Sequence, residues 1–108
     1  MDKETLLAAV LPERTVDLDG VGKITVRSLS RAEVLAIRAR EIGDAAELER
    51  VVLAAAMVDP EMTEDDVRAW QEVSSPEVIE DVASAVLDLS GMRREAVKEQ
   101  IQRFPDGP

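Results

Sequence analysis

The sequence lacks cysteine, histidine and tyrosine, and it contains only one tryptophan and one phenylalanine. Without cysteine and histidine there is no thiol nucleophile, no disulfide, none of the usual zinc ligands and no imidazole for proton transfer near neutral pH. An enzyme made from this chain would have to work with carboxylates, Lys, Arg and hydroxyl groups alone. We therefore predict that the protein is not an enzyme and that it has no catalytic, metal or cofactor site.

Basic residues are also scarce, with 13 Lys and Arg against 23 Asp and Glu and a net charge of −10. Nucleic acids and anionic membranes attract proteins with a basic face, so we expect neither as a partner. The N-terminal apolar run is too short for a signal peptide, and no stretch approaches the roughly 20 apolar residues of a membrane span. The length of 108 residues suits one domain. We expect a soluble cytoplasmic protein with a single domain over residues 1–108.

The N-terminal part of the sequence predicts a short helix or arm over residues 1–12 and a β-hairpin over residues 14–28. Pro12 should stop a brief helix over residues 5–11, because proline disfavours helical backbone in the residue before it. Polar and apolar residues then alternate on both sides of Asp19 and Gly20, as is typical of a hairpin. The buried face of this hairpin should carry Val16, Leu18, Ile24 and Val26.

The remainder predicts a helical bundle over residues 30–104 and a disordered tail over residues 105–108. Residues that favour helix N-caps are Ser30, Asp44, Thr63 and Ser75, and the expected stops are Gly43, Pro60 and Gly91. We expect the first long helix to reach about Ile42, and a last helix over residues 93–104 to bury Val97, Ile101 and Phe104. Apolar residues at helical spacing elsewhere include Leu35, Leu48, Val58, Trp70 and Val73. The fold class is thus mainly α, a small bundle of about five helices with one N-terminal β-hairpin.

Residues 17–24 resemble the start of an EF-hand calcium loop, with Asp17 and Asp19 at its first and third positions and Gly22 at its sixth. Calcium needs six to eight oxygen ligands, and Val21 and Ser28 stand where further oxygen ligands would be expected. The flanking segments read as strands, whereas an EF-hand requires helices. We favour a hairpin turn over a calcium site.

The N-terminal apolar run is the candidate partner-binding segment, formed by Leu6, Leu7, Val10 and Leu11. An apolar run this short, ahead of a proline, is available to a partner's groove or to a neighbouring subunit. The alternative is that the run simply docks on the bundle.

Three ordered motifs support a family resemblance over roughly Leu11 to Met92. They are an R-x-L-[ST]-x-x-E helix start (Arg27, Leu29, Ser30, Glu33), a V-D-P break followed by [ST]-x-x-D-V (Val58, Asp59, Pro60, Thr63, Asp66, Val67) and a closing L-S-G (Leu89, Ser90, Gly91). With the short strand pair before them, these motifs make the chain similar to the tail assembly chaperones of long-tailed, siphovirus-type bacteriophages or prophages.

The resemblance implies a non-enzymatic factor in the cytoplasm of the bacterial host. Such proteins bind the aggregation-prone tape-measure protein, help the tail-tube protein polymerise around it and are absent from the mature virion. Many also exist as a longer frameshifted form. Two other interpretations stay open: a structural head–tail connector or other small virion protein, and an acidic antitoxin-like module that masks a basic partner. Self-association is a further option for the partner-binding segment.

Overall fold

A computed structural model of the chain describes residues 1–92. Its elements in chain order are α1 (Lys3–Leu7), β1 (Glu13–Leu18), β2 (Gly22–Arg27), α2 (Arg31–Ala39), α3 (Ala45–Ala56), β3 (Met57–Asp59), α4 (Glu64–Val73) and α5 (Pro76–Leu89). The expected helix over residues 93–104 and the tail over residues 105–108 lie outside the described residues.

The three strands form one antiparallel sheet in the order β1-β2-β3. Strands β1 and β2 form the predicted hairpin, in which Val16 pairs with Ile24. The turn between them needs left-handed backbone at Gly20, where φ is 75°, a conformation that glycine adopts without strain. Helix α5 contacts β1 and β2, so the hairpin packs on a helix as a two-stranded ribbon in water requires.

Strand β3 corrects the predicted fold class, because the described chain is an α+β fold and not a helical bundle with an isolated hairpin. The helix that was expected to continue through Val58 ends at Ala56, and Met57 has extended backbone with φ −76° and ψ 123°. Met57 is buried and pairs with Val26 of β2. Apolar spacing could not reveal this change, because the pairing partner lies about 30 residues earlier in the sequence.

The predicted helix starts are largely confirmed. Ser30 and Thr63 each form a reciprocal capping box, with Glu33 and Asp66 respectively. Asp44 caps α3 by accepting a hydrogen bond from the Glu47 N–H at 2.7 Å. Ser75 differs, because it occupies the N-cap position without a side-chain hydrogen bond and the helix begins directly with a proline.

Besides the end of α3, two further predicted helix ends are wrong, and both lie too far along the chain. Helix α1 covers Lys3–Leu7 and ends before residue 11, and α2 ends at Ala39 rather than near Ile42. Helix α1 buries no residue and α2 buries only Val34 and Ile37, so apolar spacing alone overestimated their lengths. The end of α5 agrees with the prediction, since Gly91 follows it with a φ of 72°.

The core lies between the sheet, α3 and α5, with α4 packed on α3. Its fully buried side chains include Val26, Leu53, Val67, Val82 and Val86. Leu18, Ile24 and Val26 are buried as predicted and Val16 is half-buried.

Three side chains that were expected in the core are exposed, and one of them, Leu48 on α3, is 42% exposed. Leu35 is 50% exposed because it lies a step around α2 from the buried face of Val34 and Ile37. Val73 is 84% exposed at the last position of α4. Trp70, expected to face inward, is half-buried.

Candidate partner-binding surface

Residues 1–12, called the N-terminal arm from here on, precede the sheet and contain α1. Asp2 caps this helix, because its Oδ1 accepts a hydrogen bond from the Thr5 N–H at 2.7 Å, and this contact lowers the pKa of Asp2. Helix α1 buries no residue. The arm is joined to the sheet at its far end, where the Pro12 carbonyl accepts a hydrogen bond from the Ser28 N–H at 2.8 Å.

The structure leaves three of the four predicted partner-binding side chains in solvent. Leu6 is 61% exposed, Leu7 75% and Val10 87%. Leu11 is half-buried next to the anchored Pro12. The arm therefore presents apolar surface over five consecutive residues, and a role for that surface in binding stays a prediction.

Exposed apolar side chains elsewhere in residues 12–92 are scattered. Val21 lies at the hairpin tip, Leu35 on α2, Leu48 on α3 and Val73 on α4. Single apolar side chains on a surface are ordinary and need no partner. The arm differs because its exposed apolar side chains are neighbours in sequence.

An ion pair that the sequence analysis did not predict joins the sheet to two helices. The two terminal guanidinium nitrogens of Arg27, Nη1 and Nη2, each donate a hydrogen bond of 2.8 Å to the Glu33 carboxylate. Arg27 also donates to the Ala55 carbonyl at 2.7 Å and to the Ser28 carbonyl at 2.9 Å. The pair with Arg27 lowers the pKa of Glu33 to about 2, more than its partial burial raises it.

The motifs behind the family resemblance meet in space around this ion pair. The Leu29 N–H donates to Ser90 Oγ at 2.9 Å, which links the first motif to the closing L-S-G. Asp59 of the central motif pairs with Thr25 in the sheet. These motif residues therefore contribute contacts within the fold. The opposite charges of Arg27 and Glu33 on either side of a helix cap are the sequence signal that could have indicated the pair.

The structure assigns the EF-hand-like residues 17–24 to the hairpin. Asp17 pairs with Lys23 across the two strands, and strands replace the helices that a calcium loop needs on each side. Across residues 1–92, no group of three or more His, Cys, Asp or Glu side chains could hold a metal ion. Every buried side-chain nitrogen or oxygen described there has a hydrogen-bond partner.

Comparisons of the chain with protein-family models, with curated proteins and with solved structures find no match. Within residues 1–92, none of the helices has the length and apolar character needed to cross a lipid bilayer. The described chain is a small α+β unit with an exposed apolar arm at its N-terminus.

Proposed function

We propose that this chain is a tail assembly chaperone of a long-tailed bacteriophage or prophage. In this role it binds the tape-measure protein in the bacterial cytoplasm, helps the tail-tube protein polymerise around it and does not enter the mature virion. The observation that carries the proposal is the exposure of Leu6, Leu7 and Val10 on the N-terminal arm. The motif order described above supports the same family.

The physical requirements of such a chaperone match the arm and the charge of the chain. A client with apolar helices needs apolar surface to bind, and each fully buried Leu or Val side chain contributes about 1.5–3 kcal/mol. Burial of only three such side chains favours reversible binding rather than permanent association. Reversible binding suits a chaperone that leaves the assembled tail. The net charge of −10 opposes self-aggregation through the same surface.

The test is a tagged pull-down from cells that carry the native gene context, with the recovered proteins identified by mass spectrometry. The wild type should recover a very long helical protein together with a tail-tube subunit. The double variant Leu6→Glu/Leu7→Glu should recover neither, because each carboxylate would have to be desolvated in the complex. The double variant Val21→Glu/Val73→Glu is the matched control, since it adds the same two charges at exposed apolar positions outside the arm and should bind as the wild type does.

Several results would contradict the proposal. Unchanged recovery with Leu6→Glu/Leu7→Glu, while circular dichroism shows a native fold, would remove the arm as the binding site. Recovery of a small basic partner, with binding that weakens strongly at high salt, would favour the antitoxin-like module. Finding the chain in purified phage particles would favour a structural virion protein.

A further inference from the structure

A second apolar surface lies between α3 and the end of α5. Two cavities of about 440 and 190 Å³ adjoin there and share Ala45, Leu48 and Met92. Together they form a continuous concave surface, called the α3–α5 groove from here on. Its apolar lining includes Ile37, Ile42, Leu48, Val52, Leu87 and Met92.

Leu48 lies at the centre of the groove and is 42% exposed. The groove continues directly into the core, because Val52, one helical turn further along α3, is 5% exposed. An apolar side chain placed over Leu48 would therefore extend the core rather than form an isolated contact.

The position of the chain after α5 indicates what covers the groove. Met92 lines both cavities and is the last described residue, and 16 residues follow it. Among them, Val97, Ile101 and Phe104 are spaced four and three residues apart, which is the spacing of one helical face. The only other apolar residue of this segment is Ala96, so an apolar partner surface would have to meet that face.

Charge also favours this segment as the occupant. Residues 1–92 contain nine Lys and Arg against 20 Asp and Glu, whereas residues 93–108 contain four against three. The charged residues that line the groove are Asp44, Glu49 and Arg38, which together leave one net negative charge there. A segment that carries a small positive charge is therefore attracted to a surface that is strongly negative overall.

We propose that residues 93–104 bind in the α3–α5 groove of their own chain and place Val97, Ile101 and Phe104 against its apolar lining. Because the segment begins at the groove, its effective concentration there is typically about millimolar. It should therefore occupy the groove in preference to the same segment of a second copy. The proposal does not depend on the proposed function, since it concerns a surface away from the N-terminal arm and needs no client.

The absence of cysteine allows a direct test on the full chain. A single Gln102→Cys variant takes a nitroxide label, which broadens the NMR signals of amides near it. The Leu48, Val52 and Leu87 amides should lose most of their intensity relative to the reduced label. Adding Ile101→Asp should restore these signals, whereas the matched control Gln100→Asp should leave them broadened.

A mixed sample distinguishes binding of the segment to its own chain from binding to a second copy. Isotope-labelled wild type is combined with spin-labelled chain that carries no isotope, so that only contacts between molecules broaden the signals. Unchanged intensities in the mixture, with broadening in the doubly labelled chain, are the expected result. Broadening in the mixture would assign the groove to a second copy and overturn the proposal. Intact signals in both samples, or broadening that survives Ile101→Asp, would also overturn it.

Discussion

The N-terminal arm and the core contain the same kinds of apolar side chain, but the arm leaves them exposed to solvent and the core buries them. Leu7 is 75% exposed in the arm, whereas Leu53 in α3 is completely buried. Both are leucines in helices with an acidic N-cap, Asp2 and Asp44. The comparison teaches that burial here depends on whether a second element packs on the helix: within residues 1–92, α3 packs on α4 and α5, whereas α1 buries no residue.

Helix length separates the two regions further. Helix α1 has five residues and α3 has 12. A helix of five residues is marginal in water because its first turn costs more entropy than its hydrogen bonds recover. The arm is therefore a segment of low local stability attached to a cooperative unit, a property that suits capture of a partner.

Matched leucine truncations should give the largest difference between the two regions. Leu53→Ala removes a fully buried side chain and should lower the free energy of unfolding by about 3 kcal/mol, while Leu7→Ala should change it by less than about 0.5 kcal/mol. Urea denaturation followed by circular dichroism measures both. Comparable losses for the two variants would show that the arm packs on the core.

The ion pair at the junction of the core should give the next largest effect. Glu33→Gln removes the charge that pairs with Arg27 and should lower the free energy of unfolding at pH 7 by about 2 kcal/mol. This figure is below the direct conversion of the pKa difference, because 32% of the Glu33 side chain is exposed and solvent screens the pair. Glu61→Gln, at an exposed position, is the control for loss of charge and should have little effect.

The same pair should also make stability depend on pH. The pKa of Glu33 is about 2 in the folded chain against an ordinary value of 4.5, so the unfolded chain takes up the proton first as the pH falls. The contribution of Glu33 is complete above pH 4.5 and is lost as the pH falls toward about 2. The stability difference between wild type and Glu33→Gln should shrink over that interval. A difference that stays constant down to pH 2 would contradict the ion pair.

The helix caps should give the smallest contrast. Thr63→Ala breaks the capping box of α4, which holds the fully buried Val67, and should lower the free energy of unfolding by about 1 kcal/mol. Asp2→Ala removes the cap of α1 and should leave the unfolding midpoint unchanged, because α1 buries nothing. It should instead speed amide hydrogen exchange at Thr5, because the Thr5 N–H donates its hydrogen bond to Asp2 Oδ1. Equal unfolding midpoints for Thr63→Ala and Asp2→Ala would contradict the expected difference in stability between the core and the arm.

Local signals predicted much of this fold, as the hairpin shows most clearly. Its register and buried face follow from alternation around one turn, and Ile24 and Val26 are buried as that pattern requires. The capping residues Ser30 and Thr63 likewise act within four residues of themselves. Interactions over such short distances in sequence can be read without knowing the fold.

The candidate surface was predictable only in part. The apolar run before Pro12 indicated a segment with little packing, and the exposure of Leu6, Leu7 and Val10 agrees with that expectation. The α3–α5 groove was not predicted, because Leu48 of α3 and Leu87 of α5 lie about 40 residues apart in the sequence. Helical spacing places Leu48 and Leu87 on apolar helix faces, but it does not show whether these two faces cover each other fully in the fold.

The sequence by itself determined the helix starts, the hairpin, the acidic charge and the absence of thiol and imidazole chemistry, because each depends on residue types or on neighbours along the chain. Only the tertiary structure decided that the chain leaves its helix after Ala56 to add β3 to the sheet, and that Arg27 joins Glu33 to the Ala55 carbonyl. These features depend on pairing across long stretches of chain. An unpaired strand edge or a partly buried charge meets its partner only when packing brings the two together.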